Sequence, residues 1–362
     1  MRAALISLLI SAFAALAFGQ EKPIAQTEFV QMLYGIERNT SSPDEVVDAL
    51  RRRGIDFTVT SGIRSLTRSK SRSNAELRDA LEEADRRRRN PAAAIPMPSA
   101  DEARELIERT RSNTLEAVAE MPDFVVKQQV QRSMAYAGTG NFRPLDRLLV
   151  AVSYRASGRE EYRLLSINGI RQTDPKASSS YEEAGGSSST GEFVTMLETI
   201  FKRDNDAVFE PVFTDTIRGR RAMMFDFEVA RDKAMQRVTS AAKTYADTAI
   251  TGMKGRIWID LELARVLRIE SHATELPDSF PITSAKRSID YDWAVISDER
   301  YLLPSVSDVR LTHRGSGSEF ESRNVIRFRD YQKYGTEVII VEADDEPFID
   351  EQPVQDEPQS EK

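Results

Sequence analysis

From Ala207 onward the chain is written almost entirely in strand code, and this constrains the fold more than any other feature. Alternating or β-branched runs at 207–218, 220–230, 235–251, 253–260, 265–273, 284–295, 300–312, 320–329 and 336–341 follow one another with only short turns between them. Earlier strands read the same way. In Phe124 to Tyr136, the side chains of Phe124, Val126, Gln128, Val130, Arg132, Met134 and Tyr136 share one face, and Leu148, Val150, Val152 and Tyr154 alternate likewise. Glu160 to Ile167 ends at Asn168-Gly169, a pair that accepts positive φ and so marks a tight hairpin. About a dozen strands joined this way can only be antiparallel neighbours. Twist must curl so long a sheet, and the expected fold is α+β: a large, strongly curved antiparallel sheet with packing helices on one side, plus a small N-terminal helical module.

The helices that belong to the sheet are legible. Ser99 to Glu102 is a capping box opening a helix over 99–120, in which Ala103, Leu106, Ile107, Thr110, Thr114 and Val118 recur at three- and four-residue steps. Phe193, Met196, Leu197, Ile200 and Phe201 give a second apolar stripe over 192–203. Between the early strands and that stripe, the Ser- and Gly-rich residues 172–191 read as an exposed loop.

Upstream lies a different composition. Residues 1–19 carry a short positive start at Met1-Arg2, an apolar run from Ala3 to Phe18 and small residues at Ala17 and Gly19, the marks of a cleavable signal peptide. That run of 16 residues is shorter than the ~20 that cross a bilayer, and no later run approaches that length, so the chain is not expected to span a membrane. The localisation that follows is periplasmic or secreted, which also disfavours a nucleic-acid partner. Without a cysteine, attachment of lipid at a lipobox is excluded.

Residues 20–89 read as a small helical module. Ser42-Pro43-Asp44-Glu45 is a capping box with proline at the first helical position, Gly54 ends that helix, and Ser73-Asn74-Ala75-Glu76 reads as a second box before Leu77, Leu81 and Ala84. Three prolines within 90–98 make a semi-rigid linker, which places the domain boundary before a curved-sheet domain spanning 99–341. The net charge of −8 resides in the last segment: residues 342–362 hold nine acids against one lysine and are expected to be disordered. Residues 51–89, by contrast, carry twelve Arg or Lys against six acids, either a contact surface for anions or a solvated helix face.

Catalytic chemistry finds little to stand on. The absence of cysteine rules out disulfides, thiolate metal sites and cysteine nucleophiles, and two histidines, His272 and His313, cannot build a multi-histidine centre. Gly315-Ser316-Gly317-Ser318 reads as a turn and Gly138-Thr139-Gly140 lacks the third glycine of a nucleotide loop. Both histidines read as solvated. Asp226 with Glu228 and Asp290 with Asp292 lie two apart on strands, so each pair shares a face, but the apolar residues alternating with them make that face the wet side of a half-buried sheet. No catalytic residue, metal ligand or cofactor is therefore assigned, and the protein is expected not to be an enzyme.

The opposite face supplies the candidate site. Phe225, Phe227, Ile257, Ile259, Ile289, Tyr291 and Trp293 form an apolar area along successive strands. If helices 99–120 and 192–203 cover it incompletely, a hollow suited to an acyl chain remains.

A family resemblance accompanies these residues. Asp123 to Arg132, Asn168-Gly169, Arg218 to Arg221, Gly255 to Asp260, Arg265 to Glu270, Tyr301 to Pro304 and Asn324 to Phe328 resemble secreted bacterial proteins of unassigned biochemistry. More distantly, residues 99–341 resemble the LolA/LolB-like lipoprotein carriers. That resemblance implies an unclosed antiparallel barrel with helices as a lid, binding lipoprotein acyl chains or serving a periplasmic regulator. The expected function is thus an exported, soluble binding protein holding a lipid or lipoprotein acyl ligand. The alternative is a structural or regulatory envelope protein that meets another envelope protein through the basic helical module.

Overall fold

The computed structural model describes residues 22–71, 74–89, 98–156, 158, 160–172, 193–242, 245–315 and 317–335. The segment 1–19 expected to be a signal peptide, the linker residues 90–97, nearly all of the loop 172–191, the strand expected at 336–341 and the acidic tail lie outside the described residues. The rest falls into two compact units, 22–89 and 98–335.

The first unit holds four helices: α1 (Gln26–Glu37), α2 (Pro43–Arg53), α3 (Ser61–Lys70) and α4 (Ala75–Arg89). The Ser42 hydroxyl accepts from the Glu45 N–H while the Glu45 carboxylate accepts from the Ser42 N–H, so two of the orphan donors at the start of α2 are satisfied. Gly54, at φ 65°, ends α2 by donating to the Leu50 carbonyl. At α4 the expected box is displaced by one residue: Asn74, not Ser73, is the cap, its Oδ1 accepting from the Leu77 N–H at 2.9 Å. Asparagine caps as well as serine does, and the local geometry uses Asn74. Phe29, Leu33, Val47, Leu50, Ile63 and Leu77 form the core.

The second unit opens with α5 (Ala100–Ala119), whose cap is the expected Ser99–Glu102 box. Four strands follow: β1 (Phe124–Tyr136), β2 (Arg143–Tyr154), β3 (Glu160–Ile167) and β4 (Ile170–Arg171). After α6 (Thr195–Phe201) come β5 (Val208–Ile217), β6 (Arg220–Val229), the single turn α7 (Arg231–Ala234), β7 (Gln236–Ala242), β8 (Tyr245–Asp260), β9 (Val266–Thr274), β10 (Ile282–Ile296), β11 (Glu299–His313) and β12 (Phe320–Lys333). All pair antiparallel in one sheet of order β4-β3-β2-β1-β12-β11-β10-β9-β8-β6-β5, with β7 on β8 and no pairing of β4 to β5. The sheet is large, antiparallel and unclosed.

Turn chemistry sets the register. Asn168-Gly169, Arg218-Gly219 and Ser297-Asp298 each hold two consecutive positive-φ residues between directly paired strands, the two-residue hairpins whose twist matches that of the strands. One boundary differs from the sequence reading. The run 235–251 is not a single strand but a hairpin, with Ala242 paired to Tyr245. Lys243-Thr244 carries none of the residues that announce a turn, so alternation ran through it unbroken.

Gly255 lies where β8 comes closest to β9. A Cβ there would stand 2.0 Å from the Glu270 carbonyl oxygen and 2.8 Å from the Ser271 Cα. Backbone, not a flexible side chain, is in the way, so no larger residue fits without shifting the ladder. Gly255→Ala is expected to lower stability by ~2–4 kcal/mol, read from urea melts, whereas Gly62→Ala, with only the Thr60 hydroxyl at 3.7 Å, should change it by less than ~1 kcal/mol.

Candidate inner-face site and its lid

Lateral rows of side chains on the sheet can be read from the register. One inner row runs Leu148, Val130, Ile326, Ser307, Ile289, Ile269, Ile257, Phe225 across eight strands, from β2 to β6. It is apolar throughout except at Ser307. Over its β6–β10 half lie Ala103, Leu106 and Ile107 of α5 and Met196, Leu197, Ile200 and Phe201 of α6. Over the other half, Phe193 sits edge-on to Phe124 and Phe328, each at 5.4 Å between centroids, with Tyr154 stacked on Phe124 at 4.9 Å. Burial, with the carboxylates of Glu160, Glu198 and Asp123 nearby, pushes the Tyr154 phenol up to about 12, so it stays protonated at neutral pH.

Of the seven candidate residues, Phe225, Phe227, Ile257, Ile259, Ile289 and Tyr291 are brought together here and are 0–3% exposed. Side chains this deeply buried line no open hollow; α5 and α6 pack over them. Trp293 departs from the expectation. It is 37% exposed, because β9 flanks β10 only over 286–290 and the sheet beyond Tyr291 narrows to the β10–β11 hairpin. What covers its ring is the Arg300 guanidinium, 5.0 Å from the centroid. Past that point Ala294 and Ile296, of the opposite parity, are the residues that pack inward.

Few polar bonds hold the lid. Arg111 donates to the Phe201 carbonyl at 2.6 Å, tying α5 to α6, and Asn113 Nδ2 donates to the Leu263 and Ala264 carbonyls, each at 3.2 Å. Arg265 donates to the Asn113 carbonyl and Arg203 pairs with Glu108.

The outer face carries matched charges beside an apolar cluster of Phe213, Ala222, Met224, Trp258 and Leu267. Asp226 pairs with Arg256 at 2.7 Å, Glu228 with Lys254 at 3.0 Å, and Asp290 with both Arg218 at 3.0 Å and Arg268 at 3.2 Å. The carboxylate pairs singled out in the sequence therefore lie on the outer face, with Asp226, Glu228 and Asp290 in cross-strand ion pairs. Among the described residues no group of three or more metal-ligating side chains converges. His272 is exposed on this face, but His313, also expected to be solvated, stacks on Phe320 at 4.9 Å with its Nε2 3.0 Å from the Ser322 hydroxyl, and burial lowers its pKa. Asp308 is held by Arg323 at 2.6 Å and Arg310 at 3.3 Å. Burial pushes its carboxyl up, but the Arg323 hydrogen bond and both guanidinium charges outweigh this and hold it below the usual range.

In the helical unit, much of the basic excess is spent at home. Arg53 forks onto Glu28 at 2.6 and 2.8 Å, Arg64 pairs with Glu82, Lys70 with Glu37, and Arg87 donates to the Leu50 and Arg51 carbonyls at the end of α2. No helix among the described residues is long and apolar enough to cross a membrane.

Fold and site together define a class: an open antiparallel sheet with an apolar inner face plugged by two helices. No protein-family model matches the chain, and no curated protein does. Among solved structures it is similar to a DUF1329 family protein from Desulfovibrio piger, at 10% identity over 64% of this chain and 94% of that one, with a TM-score of 0.26. It is also similar to MucB in the MucA/MucB complex of Pseudomonas aeruginosa, at 11% identity over 63% and 99% of the two chains and a TM-score of 0.19. A structure of MucB in complex with MucA(peri) gives 11%, 64% and 99%, with a TM-score of 0.19.

Two outcomes test the face assignment. Tyr291→Ala, at a position 1% exposed, should cost ~3–5 kcal/mol in denaturant melts, and Trp293→Ala no more than about half of that. For Asp308 the folded pKa lies below the unfolded value of about 3.9, so its contribution is present above that pH and is lost as pH falls through the folded value. Asp308→Asn should accordingly be less stable at pH 7 and show a shallower loss of stability below pH ~4, followed by thermal melts across pH 2–7.

Proposed function

We propose that this chain is an exported binding protein whose sheet unit takes a hydrophobic ligand, a lipid or a lipoprotein acyl chain, on the inner face beneath α5 and α6. One observation carries the reading: an apolar face eight strands wide is covered largely by two helices, one of seven residues, with few polar ties between lid and sheet. Each large apolar side chain on that face contributes ~1.5–3 kcal/mol by staying out of water, so the helices cannot leave without a substitute. An acyl chain is such a substitute. In this reading Phe225, Phe227, Ile257, Ile259, Ile289 and Tyr291 are the face a ligand would meet once the lid moves. The N-terminal apolar segment supports export to the periplasm or beyond, and the reading assigns no catalytic step.

A second reading, contact with another envelope protein, draws on the tip of the β10–β11 hairpin, where Trp293 and Val295 stand 37% and 57% exposed. The basic helical unit supports it less, because so many of its cations are paired within the unit.

A clasp on the lid separates the two. The chain has no cysteine, so Asn113→Cys with Leu263→Cys introduces a single pair, at positions already joined by the 3.2 Å Asn113-to-Leu263 hydrogen bond. The reduced protein should take up the uncharged probe N-phenyl-1-naphthylamine, and the oxidised protein should exclude it until reductant is added. Equal uptake in both states would sink the lid reading. Native mass spectrometry of protein from its own envelope then reports copurified lipid, or a protein partner if the second reading is right.

A further inference from the structure

Arg287 breaks the pattern of its strand. Ala285, Arg287, Ile289 and Tyr291 share one side of β10 by alternation, and the other three are buried on the inner face. The Arg287 side chain is half-buried and, among the described residues, makes no hydrogen bond or ion pair. Directly across the ladder on β9 stands Ser271. On the other flank Val309 is its partner in β11, and Ser307, two residues along, lies on the diagonal. Cross-strand and diagonal neighbours lie within about 8 Å, with the two serines on opposite flanks of Arg287, so a small group at the guanidinium reaches one hydroxyl or the other.

Both serines are buried, at 6% and 0% exposure, and neither Oγ has a hydrogen-bond partner. A buried hydroxyl left without a partner is destabilising, and a guanidinium can only donate. A guanidinium and two unpartnered hydroxyls thus lie on this stretch of the inner face with no carboxylate among them. Arg132, three strands along the same row, shows how this face treats a cation it intends to neutralise: its guanidinium forks onto Asp146 at 2.6 and 2.5 Å. The carboxylates nearest Arg287 in sequence and register, Asp290, Asp308 and Glu270, sit at positions of the other parity and bond arginines on the outer face.

We infer that Arg287, flanked by the hydroxyls of Ser271 and Ser307, forms an anion subsite on the inner face that takes a carboxylate or phosphate group. Apolar residues border it on both sides, Ile289 and Ile269 toward the lid and Ala285 and Leu311 toward the cluster around Phe280 and Ile282. That setting suits the charged end of an amphiphile. This form of the inference rests on the lid reading; occupancy by free phosphate does not.

The test uses the full chain with three probes: laurate, dodecanol and inorganic phosphate, the first two read by displacement of N-phenyl-1-naphthylamine and the last by calorimetry. Laurate should bind at least ~10-fold more tightly than dodecanol, and Arg287→Gln should remove that difference while leaving dodecanol unchanged. Arg287→Lys should restore part of it, and Ser271→Ala should weaken laurate by a smaller factor. Phosphate binding that depends on Arg287, without uptake of either amphiphile, would keep the subsite and discard the acyl-ligand reading. Dodecanol binding with laurate and phosphate indifferent to both Arg287 variants, or no anion binding by the unsubstituted protein, would overturn the subsite, leaving hydration as the answer to those three groups.

Discussion

An open antiparallel sheet with one apolar face has no second sheet to bury it, and everything else in the larger unit follows from how that face is kept from water. The row from Leu148 to Phe225 presents branched and aromatic side chains over eight strands. Because β4 and β5 do not pair, the sheet cannot close on itself and fill its interior with its own side chains as a small barrel does. Cover must come from elsewhere in the chain. The stripe on α5 from Ala103 to Thr114 and the stripe on α6 from Met196 to Phe201 supply it, and neither helix could bury those stripes alone.

The two faces are held by different physics. On the inner face the attraction is non-directional, so helices can be exchanged for any apolar body of similar size. On the outer face, cross-strand pairs such as Asp226 with Arg256 and Glu228 with Lys254 follow the register, and a slip of one residue would break them all at once. The outer face thereby fixes which residues point inward, while the inner face decides only that something apolar must lie over them.

Polar groups on the inner face are few, and their treatment differs in a telling way. Arg132 has Asp146 beside it. Arg287 has two serine hydroxyls near it and no carboxylate. Ion pairing satisfies the first within the protein, whereas the second has no ion pair among the described residues.

The sequence by itself determined the class of fold, because period-two alternation and turn pairs such as Asn168-Gly169 depend on local backbone preference alone. It determined three helix starts by their caps, missing Asn74 by one residue since serine and asparagine cap by the same hydrogen bond. It also carries Arg287, a charge at an apolar parity between Ala285 and Tyr291, although Arg132 and Gln128 at the same parity of β1 give such an intrusion no distinctive signature in sequence. What only the tertiary structure decided was the strand order, the hairpin at Ala242 and Tyr245, the exposure of Trp293 and the filling of the inner face. Alternation says which side of a strand a residue takes; whether that side is covered depends on where the neighbouring strand ends and which distant helix lies above it, and neither is encoded within a strand's own length.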